Sequence, residues 1–101
     1  MVLEVIGDVD LVTAPRLQSA FDHLLRHDQS VLVVDLDGVT FLGSVGLSML
    51  LKAHAMAGPG RLRVVAATRA SRRAIEVTAL DQVLAMFPTV RAALRQNTVE
   101  R

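Results

Sequence analysis

The sequence predicts an α/β fold in which a mainly parallel four-stranded sheet is covered by about four helices. Two patterns lead there. Runs of β-branched and aliphatic residues alternate four times with segments whose apolar residues recur at helical spacing, and such alternation builds crossovers between parallel strands. The run Ser30-Val31-Leu32-Val33-Val34-Asp35-Leu36 is also nearly unbroken in apolar residues, as in a strand covered on both faces. With 101 residues, 51% of them hydrophobic and 21% charged, the chain reads as one compact domain over residues 1–101, too short for a two-domain enzyme.

Residues 2–6, Val-Leu-Glu-Val-Ile, are rich in β-branched side chains and stop at Gly7, which predicts the first strand. The acidic turn Gly7-Asp8-Val9-Asp10 follows. Thr13 is placed to cap a helix reaching about Arg26, and Pro15 is tolerated in its first turn, where N–H groups lack intrahelical acceptors. Leu17, Ala20, Phe21, Leu24 and Leu25 mark the buried stripe of that helix. After the strand at 30–36, Asp37-Gly38 reads as a turn. Val39-Thr40-Phe41-Leu42 then leads into Gly43-Ser44-Val45-Gly46, where helical spacing begins and continues through Leu47, Leu50, Leu51 and His54. Gly58-Pro59-Gly60 ends this helix. Residues 61–66 form a third strand, Ser71 caps a short helix to about Val77, residues 83–87 form the last strand, and Pro88-Thr89 opens a final helix to about Arg95. The polar tail 96–101 is expected to fray.

Eleven Lys and Arg against ten Asp and Glu leave a formal charge of +1, which excludes binding nucleic acid through broad phosphate neutralisation. Cysteine is absent, so there is no disulfide framework, thiolate nucleophile or cysteine metal site. The N-terminus lacks a signal-peptide pattern and no apolar stretch approaches the ~20 residues of a membrane span, so a soluble cytoplasmic domain without a membrane partner is expected. With three Phe and neither Tyr nor Trp, the core must be aliphatic and stacking platforms for bases are scarce.

Sites in open parallel sheets lie beyond the carboxyl ends of strands, which directs attention to the loops at 7–13 and 37–46. Ser44 stands at or just before the first turn of a helix, where free N–H groups and the helix dipole favour an anion. Its hydroxyl reads either as an N-cap or as the attachment point of a phosphoryl group, which would add ~−1.5 to −2 charges there without unfolding the chain. Asp8 and Asp10 read as acidic contacts to a basic partner surface or as ordinary turn residues. His23 and His27 have the spacing of a two-histidine metal site, but Leu24 stands where a metalloprotease needs Glu, so they read as an exposed pair and no metal is expected. Arg61, Arg63, Arg69, Arg72 and Arg73 cluster in a span without an acid and read as a solvated basic face, not as a direct nucleic-acid surface. No dinucleotide fingerprint or P-loop is present, and no cofactor is expected. A small hydrolase or metal enzyme using His23, His27 or Asp35 is the alternative from a different class.

The stretch Val34-Asp35-Leu36-Asp37-Gly38-Val39-Thr40-Phe41-Leu42-Gly43-Ser44-Val45-Gly46-Leu47 resembles the signature of STAS domains, the anti-sigma factor antagonist family. Residues 7–17, from Gly7-Asp8-Val9-Asp10 to Leu17, are similar to the family's earlier Gly-Glu-Leu-Asp loop and first helix, and Leu80-Asp81-Gln82-Val83-Leu84-Ala85-Met86-Phe87 resembles its closing segment. The resemblance implies a STAS-like fold and partner switching. An unphosphorylated antagonist binds an anti-sigma factor serine kinase of the GHKL type and frees the sigma factor; the kinase phosphorylates a serine at this helix start, and a serine phosphatase reverses the mark. By this resemblance Ser44 is the phosphoacceptor. Gly7, Asp8, Asp10, Thr40, Leu42, Gly43, Val45, Gly46 and Leu47 form the partner face, and the domain is a substrate without catalysis of its own. Family members usually carry Asp before the acceptor and Ser after it, where this chain has Gly43 and Val45. That difference favours the alternative of a non-phosphorylated STAS scaffold or regulatory subunit of a signalling or transporter complex. The family also usually has a strand before the one ending at Gly7, so by the resemblance either an edge is exposed, or the true N-terminus lies upstream, or another chain covers the gap, and a homodimer through that edge is an expectation.

Overall fold

The computed structural model describes residues 1–27 and 30–95. Its elements are β1 (Val2–Val9), α1 (Ala14–His27), β2 (Leu32–Leu42), α2 (Ser44–Ala57), β3 (Leu62–Val65), α3 (Arg69–Val77), a 3-10 turn (Leu80–Gln82), β4 (Ala85–Phe87) and α4 (Val90–Arg95). The strands lie in the order β1-β2-β3-β4 and every neighbouring pair is parallel. This is the α/β arrangement the alternation of patterns predicts. Among the described residues no helix is long and apolar enough to cross a membrane.

The period-two alternation of strand side chains divides the core between two faces. Leu32, Val34 and Leu36 of β2 and Leu62 and Val64 of β3 pack with Phe21 of α1, Leu50 and Ala53 of α2 and Ile75 of α3. Val33 and Val65 point the other way, under Ala93 of α4. Phe21, Leu36, Leu50, Leu62 and Ile75 are all less than 2% exposed, and such side chains contribute ~1.5–3 kcal/mol each. The α4 face also holds Arg63, 8% exposed, whose Nε donates to the Gly60 carbonyl at 3.1 Å and whose Nη1 donates to the Ala93 carbonyl at 2.5 Å. Its guanidinium carbon lies 5.7 Å from the centre of the Phe87 ring, within cation–π range. Beyond the reach of α4, β1 turns Val2, Glu4, Ile6 and Asp8 to the outside, and no described strand pairs with its outer edge.

Several boundaries depart from the sequence expectation for identifiable reasons. β1 does not stop at Gly7 but runs to Val9, and Asp37-Gly38 is not a turn but lies within β2. The register between them slips twice, Glu4 opposite Asp35, Ile6 opposite Gly38 and Asp8 opposite Phe41, so β2 carries two extra residues as bulges. Gly38 allows the first: a Cβ there would lie 3.0 Å from Ile6 Cγ1 and 3.2 Å from the Val5 carbonyl oxygen. Ser71 does not cap α3. Thr68 holds the cap position, and Ser71, fully buried inside the helix, lies with its Oγ 2.9 Å from Thr68 Oγ1. The start of α4 falls where Thr89 predicts it, the Ala92 N–H donating to Thr89 Oγ1 at 3.0 Å. The 3-10 turn shortens β4 from the expected 83–87, and the tail at 96–101 lies outside the described residues.

α3 ends against Ala79, which holds a left-handed φ of 61° and donates its N–H to the Glu76 carbonyl at 3.0 Å. Glycine is the usual occupant of that position because a Cβ costs roughly 1–2 kcal/mol in it. Ala79→Gly therefore raises the free energy of unfolding by about 1 kcal/mol. Urea denaturation of the two proteins measures the change.

Candidate functional site

The two loops singled out by the parallel sheet meet because the β1–β2 ladder continues to their bases. Val9 is paired with Leu42, and one residue on, the Gly43 N–H donates to the Val9 carbonyl at 2.9 Å. On the β1 side the chain then makes a tight capping turn. The Asp10 carbonyl accepts the Ala14 N–H at 2.8 Å, and Asp10 Oδ1 accepts the N–H groups of Val12 and Thr13 at 3.0 and 3.1 Å. Thr13 Oγ1 returns the contact by accepting the Asp10 N–H at 3.0 Å and donates its own proton to the Asp8 carbonyl at 2.8 Å. This reciprocal pair is a capping box with Asp10 as the cap, so Thr13 faces backwards instead of capping the helix as expected. Asp10 is thus occupied in holding the loop. The turn it fixes holds Leu11 and Val12 in water, 80% and 85% exposed.

Asp8 faces the other loop. Thr40 Oγ1 donates to Asp8 Oδ1 at 2.6 Å, a short charge-assisted bond between exposed groups across the two strands. Past Thr40 and Phe41 the chain enters α2 through Gly43, whose φ of −81° and ψ of 174° are open to any residue. Its lack of a side chain matters for space: a Cβ would lie 3.1 Å from the Phe41 ring and 3.3 Å from the Val9 carbonyl oxygen. Gly43 therefore seats the half-exposed Phe41 ring beside the helix start. Ser44 is the first residue of the 14-residue helix, exposed, and its hydroxyl bonds to none of the described residues. It is not the cap; Gly43 is.

The other expected face residues divide by burial. Gly7 and Val45 are half-buried, while Leu42, Gly46 and Leu47 are buried and shape the surface from beneath. Gly46 is the tightest point, since a Cβ would meet both Leu42 Cδ1 and Val9 Cγ1 at 2.7 Å. α2 can cross the end of β1 only without a side chain there. Leu11, Val12 and Phe41 escaped the sequence reading. The adjacent apolar pair within a predicted loop was the available signal, whereas nothing local distinguishes an outward Phe41 from a core strand residue.

Beside this face, between the end of β2 and α3, runs a groove of about 450 Å³ whose walls include Phe41, Leu47, Ala74 and Val77. The expected basic patch is not one surface. Arg63 is buried, Arg61 donates to the Ala57 carbonyl at 3.1 Å, and Arg72 pairs with Glu76 at 3.2 Å, which leaves Arg69 and Arg73 along the groove. His23 and His27 lie with ring centres 4.5 Å apart, and His27 Nδ1 is 2.9 Å from the His23 carbonyl oxygen. Asp35 accepts the Asp37 N–H, and Asp37 Oδ1 accepts the Ala67 N–H at 2.9 Å, tying β2 to the start of the α3 loop. Among the described residues no group of three or more His, Asp or Glu is placed to hold a metal ion.

The chain is thus a parallel sheet with a serine-headed helix beyond β2 and a capped acidic loop beyond β1. The STAS domain model matches residues 1–93, and the chain belongs to that family. Anti-sigma-F factor antagonist RsfB of Mycobacterium tuberculosis is 37% identical over 94 residues, which cover 92% of this chain and 77% of RsfB. The solved structure of an anti-sigma factor antagonist from Mycobacterium paratuberculosis superposes with a TM-score of 0.89 at 40% identity, covering 94% of this chain and 82% of its own. A solved Thermotoga maritima structure, at 16% identity, gives a TM-score of 0.80 over 94% of this chain and 86% of its own, and speaks for the fold alone.

Because Asp10 caps the loop through its side-chain oxygen, Asp10→Ala lowers the free energy of unfolding by about 1 kcal/mol, within the ~0.5–2 kcal/mol range of cap removal. Asp10→Asn, which keeps an acceptor at Oδ1, retains most of it. Chemical denaturation of the three proteins checks both expectations.

Proposed function

We propose that this chain is an anti-sigma factor antagonist whose partner face, formed by the β1–α1 and β2–α2 loops, binds an anti-sigma factor serine kinase of the GHKL type in the cytoplasm. Phosphorylation of Ser44 by that kinase ends the complex, a serine phosphatase restores it, and transcription follows the cycle through release of the sigma factor. The domain touches neither nucleic acid nor membrane and catalyses nothing. Ser44 carries the reading: an exposed hydroxyl at the first position of α2, with Phe41 exposed just before that helix and Leu11 and Val12 exposed in the β1–α1 loop. The N–H groups of the first turn tolerate a phosphate in the free protein. An interface that desolvates the neutral serine beside apolar side chains does not tolerate it, because a buried, unpaired charge is expensive.

The apolar setting of the acceptor supports a second reading. Gly43 places the Phe41 ring next to Ser44, and Val45 follows half-buried, so no acid or second hydroxyl flanks the serine. This suits a constitutive scaffold or regulatory subunit of a signalling or transporter complex. Intact mass after incubation with each GHKL-type anti-sigma kinase of the host and ATP separates the two. The switch predicts one added phosphate of ~80 Da that is absent from Ser44→Ala, together with at least about tenfold weaker kinase binding by Ser44→Asp. A stable complex with no added phosphate, and unchanged affinity for Ser44→Asp, establishes the scaffold instead.

A further inference from the structure

Arg69 and Arg73 stand one helical turn apart on the outer side of α3, both exposed and both lining the groove against β2. No acidic residue lines that groove. Among the described residues neither guanidinium has an ion pair or hydrogen bond, whereas Arg72 on the same helix is satisfied by Glu76. Between them and β2 the surface is apolar: Phe41 is 53% and Val77 71% exposed, Ala70 is exposed beside them, and Ala74 and buried Leu47 form the floor. An apolar trough with cations along one wall complements an amphipathic segment that has an apolar face and carboxylates on one flank. The same groove is continuous with the Ser44 face, since Thr40, Leu42 and Leu47 belong to both and Leu47 lies one turn along α2 from Ser44.

We infer that Arg69 and Arg73 are the partner-selecting residues of this surface: they pair with carboxylates on an acidic amphipathic segment of the anti-sigma factor, whose apolar side chains fill the groove between β2 and α3. The identity of the partner rests on the proposed function; the chemistry of the groove does not. Related anti-sigma factors that present a neutral or basic flank are rejected, because two unmatched arginines would have to be desolvated. A phosphate at Ser44, one helical turn from the groove residue Leu47, adds negative charge near the carboxylates that the arginines attract, so the charge that selects the partner also makes it sensitive to the switch.

The test measures the affinity of the purified GHKL-type anti-sigma factor for the wild-type chain, Arg69→Glu/Arg73→Glu and Arg69→Lys/Arg73→Lys. All the substituted side chains are exposed, and thermal unfolding confirms that the variants are folded. Charge reversal is expected to weaken binding at least about tenfold, while the lysine pair stays within about threefold and wild-type affinity falls with added salt. Wild-type affinity in the folded reversal variant overturns the inference and leaves the proposed function standing. If no GHKL-type anti-sigma factor binds the wild-type chain, the proposed function fails, and a synthetic amphipathic helical peptide decides the groove alone. With Leu on one face and Glu along one flank, that peptide is expected to shift the amide resonances of Phe41, Leu47, Ala70 and Val77, and its Glu→Lys counterpart to leave them unmoved. Absence of shifts at these residues with the acidic peptide overturns the inference.

Discussion

The site depends on the long parallel ladder between β1 and β2. β3 pairs with β2 only over residues 32–35, but β1 follows β2 to Val9 opposite Leu42. The second half of β2 therefore projects past the rest of the sheet, with β1 along one edge and α3 and the groove along the other. That projection carries the helix start bearing Ser44. It also brings the Asp8 carboxylate within 2.6 Å of Thr40. Two close approaches keep it in place, Gly38 against Ile6 and Gly46 against Val9 and Leu42, and each would be filled by a methyl group. In a densely packed interior such contacts leave no slack, so the register of two strands sets the shape of the surface around Ser44.

Charge is distributed with similar economy. A chain with a formal charge of +1 has no broad field to offer, and its arginines are specialised one by one. Arg63 closes the α4 face through two backbone carbonyls, Arg61 ties to the end of α2, and Arg72 pairs along its own helix. Asp10 is a cap, and Asp35 and Asp37 brace the middle of β2. Asp8, Arg69 and Arg73 remain exposed, Asp8 beside Thr40 and the two arginines along the groove. A nearly neutral domain can thus present a local charge pattern.

The chain belongs to the STAS family, and the relatives it resembles are anti-sigma factor antagonists. The features around Ser44 suit the proposed partner face. The hydroxyl projects from a helix start whose backbone is already anchored by the Gly43–Val9 bond, and the exposed hydrophobes sit on rigid supports: Leu11 and Val12 on the capping box, Phe41 on β2. A preorganised surface loses little conformational entropy on binding.

Much of this was legible in the sequence. Strand and helix order, the buried stripe of α1 and the serine at a helix start after the second strand all follow from periodicity and punctuation, which are local properties of the chain. Asp37-Gly38 shows where local reading fails: the pair has the composition of a turn, yet a parallel neighbour about thirty residues away holds it in a strand as a bulge. Ser71 and Thr13 likewise have the chemistry of caps, but Ser71 is buried under the packing of α3 and Thr13 is drawn back to Asp8 and Asp10. The five arginines from 61 to 73 read as one patch because sequence records proximity along the chain. Only the tertiary structure sorts them into braces and free cations, since the alternation of β3 and the face of α3 send neighbours in sequence to opposite sides of the sheet. The sequence by itself determined the elements, their order and a serine at the start of α2; the groove, the exposed Phe41 and the pairing of Asp8 with Thr40 were decided by register and crossover between distant segments, which no local pattern encodes.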